Sequence, residues 1–259
     1  MDHPQHTFWI APGYEQIVEE IGLSPQDVFT RPDIVRWRTV DTRDNCTLDA
    51  QLADGRKLRL HIKRHQPGYA RDTPAHVEYA GYELLRDANI PTANLVAFGE
   101  LLDRRSFLVT EDLAGFSAAD KLIEHGTPFP ELSNTLADLT ARLHNAGLHH
   151  RDLYLCHFFV NPQSNPRDIR LIDIARVAKL PRFFRRRWII KDLAQFWYST
   201  TKLPIPESDR VAWLERYAQS RNMSGKQLLS RIKRKARQIA RHDKNLTRRH
   251  PSRNISIEG

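Results

Sequence analysis

Apolar and polar residues alternate with period two through Cys46, Leu48, Ala50 and Leu52, and again through Leu58, Leu60 and Ile62, with Asp54-Gly55 between the runs. Such alternation predicts half-buried strands, and Asp-Gly between two of them predicts a hairpin. Residues 37–40, 95–98 and 107–110 are further short strand-like runs. One helix, over residues 75–88, interrupts this half of the chain and stops before Asn89-Ile90-Pro91. Beyond Ala114-Gly115 the period changes. Leu132, Leu136, Leu139 and Leu143 recur at helical spacing, and Gly147 follows as a C′ glycine. Residues 188–200 and 207–245 also read as helix, the latter on Trp213, Leu214, Tyr217, Leu228, Leu229 and Ile232. Ahead of the strands, residues 14–22 and the stretch opening at Ser24-Pro25 predict two short helices. Strands followed by helices make an α+β pattern.

Composition narrows the classes. At 259 residues the chain can form one two-lobed domain or two small ones. No apolar run approaches the ~20 residues of a membrane span. The first sixteen residues show neither the basic nor the apolar region of a signal peptide. Two cysteines, Cys46 and Cys156, far apart in sequence, suit a reducing cytoplasm better than a disulfide framework. Of the net charge of +9, residues 221–253 carry +11, from twelve Lys or Arg against Asp243, which leaves −2 elsewhere. Basicity is therefore a C-terminal feature, suited to an anionic membrane surface, nucleic acid or solubility.

The candidate chemistry lies in His149–Val160, HHRDLYLCHFFV, and in LIDIA at 171–175. Phosphoryl transfer from ATP needs one carboxylate to orient or deprotonate the attacking hydroxyl and a second to hold magnesium against the phosphates. In these two stretches Asp152 would be the first and Asp173 the second. Cys156, within the string, reads as a small buried hydrophobe. Lys179, Arg182, Arg185, Arg186, Arg187 and Lys191 would suit an anionic sugar, or form a solvated basic face.

The two stretches resemble the catalytic loop and metal-binding segment of the protein-kinase-like superfamily. H-R-D-L-Y-L-C-H-F resembles more narrowly the signature of bacterial lipopolysaccharide kinases, which phosphorylate heptose or Kdo in the inner core. The resemblance covers about residues 37–198. It implies a two-lobed protein-kinase-like fold: an N-terminal helical extension at 1–36, a small antiparallel-sheet N-lobe at 37–114, a mainly helical C-lobe at 115–247 and a basic, disordered tail at 248–259.

It also implies roles. Asp152 is the catalytic carboxylate, with His150 and Arg151 of the same tripeptide. Asp173 is the magnesium ligand, and His157 takes the position where protein kinases carry a second, Asn, ligand. Imidazole suits magnesium poorly, so His157 hydrogen-bonds a phosphate, tolerates manganese, or leaves one metal firmly held. Lys63 corresponds to the strand lysine that holds ATP phosphates; it is out of phase with Leu58, Leu60 and Ile62, on the face a kinase turns to its nucleotide. Its partner on the 75–88 helix is Glu78, placed at the edge of an arc of Val77, Ala80, Gly81, Leu84, Leu85 and Ala88; Glu83 lies opposite. Glu111 and Leu113 fall at the hinge that holds adenine through its backbone. Asp192 falls where kinases tether the catalytic loop, and Arg176 is a further phosphate candidate. The phosphate-covering loop, residues 41–45, has no glycine, Ile174-Ala175 replaces Phe-Gly, and Ala-Pro-Glu is absent. The implied cofactors are ATP and Mg2+, and the acceptor is a lipopolysaccharide core or another anionic sugar. Residues 221–253 suit peripheral contact with the anionic inner membrane of a cytoplasmic protein; nucleic acid is the weaker reading. A kinase of another small molecule or of protein, and a nucleotide-binding pseudokinase, are the alternatives.

Overall fold

The two alternating runs form adjacent strands of a mixed α+β structure. The computed structural model describes residues 6–40, 42–68 and 70–249. It divides into two compact units. The first takes the chain up to Glu83 together with Thr92–Ala114; the second takes Leu84–Pro91 and the chain from Gly115 on.

The first unit runs β1 (His6–Ile10), α1 (Glu15–Glu20), α2 (Asp27–Thr30), β2 (Val35–Val40), β3 (Arg43–Gln51), β4 (Lys57–His65) and α3 (Pro74–Asp87, as far as Glu83), then β5 (Leu95–Leu101) and β6 (Ser106–Glu111). Its strands form one antiparallel sheet in the order β1-β5-β6-β4-β3-β2. One face carries Leu48, Leu60, Ile62, Val96, Phe107 and Val109 onto Val18 and Val28 of the two short helices. The other face meets α3, where Tyr79 stacks on Phe98 at 5.0 Å.

Three expectations change here. The stretch at 1–36 contains a strand as well as two helices, because β1 is covered on both sides and so shows no alternation. Phe8 packs beside Phe107 and Trp9 against Tyr79. The loop expected over 41–45 is shorter, since β3 already pairs with β2 at Arg43; Asp41 lies outside the described residues. The buried face of α3 runs through Ala75, Glu78, Tyr82 and Leu85, while Val77 and Ala80 are exposed. Glu78 therefore sits within the buried face, not at its edge.

His65 ends β4, buried, and among the described residues its Nε2 has no hydrogen-bond partner. Burial first, then the charges of Arg43 and Lys63, push its pKa down to about 3. The folded unit holds it neutral, whereas an unfolded chain binds a proton below about pH 6.5. Stability is thus full above that pH and falls by about 1.4 kcal/mol per pH unit as pH drops toward the folded value. Urea midpoints between pH 7 and pH 5 should show this loss and His65→Gln should flatten it; equal slopes would mean the imidazole is not held neutral.

The second unit continues with β7 (Ser117–Ala118), α4 (Ala119–Glu124), α5 (Phe129–Asn145), β8 (Leu148–His149), β9 (Phe158–Val160), β10 (Ile169–Leu171) and β11 (Ala178–Lys179). Helices α6 (Arg185–Thr200), α7 (Glu207–Gln219) and α8 (Gly225–Arg249) complete it. Leu132, Leu136, Leu139 and Leu143 of α5 are all buried. Phe196 of α6 stacks face to face on Trp213 of α7 at 4.0 Å, and Trp213 on Tyr217 at 6.2 Å. The helix expected over 207–245 is two helices, since Asn222 takes a left-handed φ of 53° between them. Arg248 and Arg249, expected in the tail, are the last turn of α8; residues 250–259 lie outside the described residues. No described helix is long and apolar enough to cross a membrane.

Candidate active site

Two irregular backbone positions carry the carboxylates. Helix α5 is capped at Ala146, and Gly147 turns the chain with φ +74° into β8, which pairs with β11. After His149 the chain leaves the ladder, and Arg151 adopts φ +74°, a region that non-glycine residues occupy only when their surroundings hold them there. Asp192 of α6 is the hold. Its two oxygens accept the amides of His150 at 2.7 Å and Arg151 at 2.9 Å, and His144 Nε2 lies 3.3 Å away. Burial raises the Asp192 pKa, but the hydrogen bonds from His144 and the loop amide outweigh it and keep the carboxyl below its ordinary range. Asp192 thus ties the loop to α6.

Asp173 follows β10, also left-handed, with φ +54°. Its approach is fixed at Ile172. The Ile172 amide donates to the carbonyl of His157 at 2.9 Å, and the Ile172 carbonyl accepts from His150 Nε2 at 3.1 Å. A carbonyl only accepts, so Nε2 of His150 carries the hydrogen. His150 Nδ1 is buried with no partner among the described residues. Burial, then the nearby His157, pushes the His150 pKa down. His150 is therefore a neutral brace of the segment and is not among the residues that line the cavity at Asp152.

His157 bridges the two stretches. Its Nδ1 donates to the carbonyl of Asp152 at 2.7 Å, and its Nε2 lies 3.7 Å from Asp173 Oδ2. The Asp152 carboxylate faces Arg176, whose Nη1 lies 3.2 and 3.0 Å from its two oxygens, and Gln195 Nε2 reaches one of them at 3.4 Å. The Arg151 side chain points elsewhere, stacked over the Trp188 ring at 5.0 Å. Lys191 donates to the Arg151 carbonyl at 2.8 Å, and burial lowers its pKa. Asp152, Asp173, His157, Arg176, Lys191 and Gln195 all line one cavity of about 930 Å³ within the second unit. Cys156 also lines it, but burial pushes its thiol up to about 12, so it holds no thiolate.

In the first unit, Lys63 lies across the strands from Leu108 and Phe98, on the α3 side of the sheet. Its ammonium meets Glu78 Oε1 at 2.5 Å, and Glu78 is almost fully buried. The Glu111 amide donates to the Asn94 carbonyl at 3.0 Å, and the Asn94 side chain bonds its carboxylate at 2.7 Å. Leu113 forms no backbone hydrogen bond among the described residues. Asp112 beside it meets His61 Nε2 at 2.7 Å.

Gln195 and the contact between Arg176 and Asp152 escape sequence reasoning. Gln195 lies three residues past Asp192 on α6, so the same helix turn that tethers the loop reaches the carboxylate. That spacing was the one signal available.

Residues 42–217 match the model of the lipopolysaccharide kinase (Kdo/WaaP) family. The chain belongs to that family. Lipopolysaccharide core heptose(I) kinase WaaP of Escherichia coli is 33% identical over 155 residues, 54% of this chain and 58% of that protein. Its Pseudomonas aeruginosa counterpart is 31% identical over 158 residues, 55% of this chain and 59% of that protein. The chain thus spans under two thirds of these relatives' length. The family match covers β3 to α7, including both carboxylates, Lys63 and Glu78. All of α8 lies beyond it.

The donor set admits a hard cation. Among the described residues no group of three or more His, Cys, Asp or Glu is placed to hold a metal. Magnesium needs no such cage, because it keeps several waters and uses one or two carboxylates with the substrate's phosphates. Asp173, with 41% of its side chain exposed and lining the cavity, fits that need. His157 keeps one nitrogen, Nε2, toward Asp173.

Proposed function

We propose that this protein is an ATP-dependent kinase that phosphorylates a sugar hydroxyl, of heptose or Kdo, in a lipopolysaccharide inner core. The observation that carries the reading is the meeting of Asp152 and Asp173, bridged by His157, on one cavity roomy enough for a sugar. Membership of a kinase family supports ATP as the donor. The first unit reads as a kinase-like N-lobe, to which residues 1–36 add a strand; the second reads as the C-lobe.

In this mechanism Asp152 accepts the hydrogen bond of the acceptor hydroxyl and orients it. A carboxylate so placed contributes about a hundred- to ten-thousand-fold. Arg176 shares the carboxylate before the acceptor arrives and lies within reach to take phosphate charge as the hydroxyl takes its place. Lys63, locked by Glu78, holds phosphates, and the backbone of Glu111 and Leu113 receives the base. Asp173 holds Mg2+, with His157 orienting its carboxylate from the Asn position. The metal, when bound, neutralises charge on the transferring phosphate. His150 and Arg151 act as positioning residues. The exposed arginines of α8, Arg231, Arg234, Arg237 and Arg241, suit peripheral contact of a cytoplasmic protein with an anionic membrane.

The test is transfer of labelled γ-phosphate from ATP to dephosphorylated inner-core lipopolysaccharide, with Lys63→Met beside the wild type. Label should appear on core sugar, and Lys63→Met should raise the KM for ATP and lower kcat. Nucleotide binding without transfer to any core acceptor would sink the reading.

A further inference from the structure

The cavity extends well past the two carboxylates. Its far wall is the C-terminal half of α8, through Lys235, Gln238, Ile239, His242 and Leu246. These residues recur at i, i+3, i+4, i+7 and i+11, which is one stripe of a helix. A different stripe, Leu228, Ile232 and Ala236, is buried and fixes the helix in the unit. A third carries the exposed Arg231, Arg234 and Arg241. The basic residues of α8 therefore divide between solvent and cavity.

The charges on the cavity side are unevenly matched. Asp243, the acid of this helix half, accepts from the Tyr198 hydroxyl at 2.5 Å and from Lys202 at 3.1 Å. Lys202 also lies over the Tyr198 ring, at 4.6 Å. That triad is internally balanced. Lys235 is half-buried, and its hydrogen-bond partner is the neutral amide of Gln238, at 3.3 Å. Neither Lys235 nor His242 has an acidic partner among the described residues. An ammonium on a cavity wall without a counter-charge can take an arriving anion in a charge-assisted hydrogen bond. Ile239 and Leu246, one turn away on either side of His242, offer apolar contact to a ring.

We infer that Lys235 and His242 form a subsite for a negatively charged group, phosphate or carboxylate, borne by the acceptor saccharide, so that α8 is the specificity wall of the acceptor site. The inference rests on the kinase reading for the word acceptor; the anion subsite stands on the geometry. With the charged group held at α8, a hydroxyl on the same saccharide is presented across the cavity to Asp152.

Two measurements on the full chain test it. In the first, kcat and KM are compared for the wild type, Lys235→Met, His242→Gln, the double variant and Lys235→Arg, with inner-core lipopolysaccharide as acceptor. The double variant should raise the acceptor KM by roughly ten-fold or more, the loss expected of charge-assisted hydrogen bonds. Its KM for ATP should move less than two-fold, and Lys235→Arg should restore most of the affinity. In the second, the 13C-histidine spectrum of the nucleotide-free protein is titrated with glucuronate, glucose 6-phosphate and methyl glucoside. The His242 resonance, identified by its loss in His242→Gln, should move with one or both anionic sugars and stay with the neutral one. Which anion moves it further separates carboxylate from phosphate. If the wild type transfers nothing to core, the kinase reading fails, and the spectrum still decides the subsite. An unchanged acceptor KM in the double variant overturns the inference. So does a rise in the KM for ATP alone, which would give the site to the nucleotide, or a His242 signal indifferent to both anions.

Discussion

Asp152→Asn is expected to lower kcat for phosphate transfer by about a thousand-fold and to leave the melting midpoint and the KM for ATP close to those of the wild type. The carboxamide keeps the shape of the side chain and still accepts on one oxygen. On the proposed reading, it loses the charge that orients the acceptor hydroxyl. The fold should tolerate this because the loop is not held by the Asp152 side chain. Its main-chain carbonyl takes His157, and its neighbours' amides go to Asp192. The contact that is lost, with Arg176, is a pair in which Arg176 is half exposed, and such pairs contribute about 1 kcal/mol or less. More than a tenth of wild-type turnover in a well-folded Asp152→Asn would remove Asp152 from the role. Asp173→Asn should give a different signature, a raised magnesium requirement, so the two variants separate hydroxyl orientation from metal holding.

The parts of this site legible in the sequence are those set by local period. Lys63 follows from alternation in β4, since Leu60 and Ile62 are buried and the residue after them must leave that face. The leucine stripe of α5 and Gly147 after it place the catalytic loop, because a helix end and a left-handed turn leave marks on adjacent residues. Glu78 meets Lys63, but the arc read from hydropathy places it at an edge that the fold does not have. Val77 and Ala80 look like core by hydropathy but face solvent, while a carboxylate takes the buried position because Lys63 waits there. Only pairing across the sheet fixes that rotation.

Legibility failed where contacts are long in sequence. The basic run 221–253 reads as one feature by composition. In the fold, one stripe of α8 is buried within the unit, a second faces solvent, and a third lines the cavity that holds Asp152, more than eighty residues earlier. No window on the sequence joins Lys235 to Asp152. The same holds for β1, whose partner β5 lies some ninety residues on.

The tether at Asp192 gives the second large effect. Asp192→Ala should cost about 3–5 kcal/mol in unfolding free energy of the second unit and abolish transfer. It removes the acceptor for the amides of His150 and Arg151 and leaves His144 Nε2 facing a void, all in a region without solvent. Arg151 then loses the amide hydrogen bond that holds its φ of +74°, and a chain released from that strain carries Asp152 away from Gln195 and the cavity. Asp192→Asn keeps one carbonyl oxygen and should fall between the two, with one loop amide satisfied. The pH profile adds a readout that a packing defect would not produce. The carboxyl of Asp192 titrates below its ordinary range in the folded state, so its stabilisation is complete above an unfolded pKa of about 4 and is lost as pH falls through the lower folded value. The wild type should therefore lose stability along that acid limb, and Asp192→Ala, already without it, should show a shallower one. Parallel acid limbs in the two proteins, or full transfer activity in Asp192→Ala, would mean that α6 does not hold the catalytic loop.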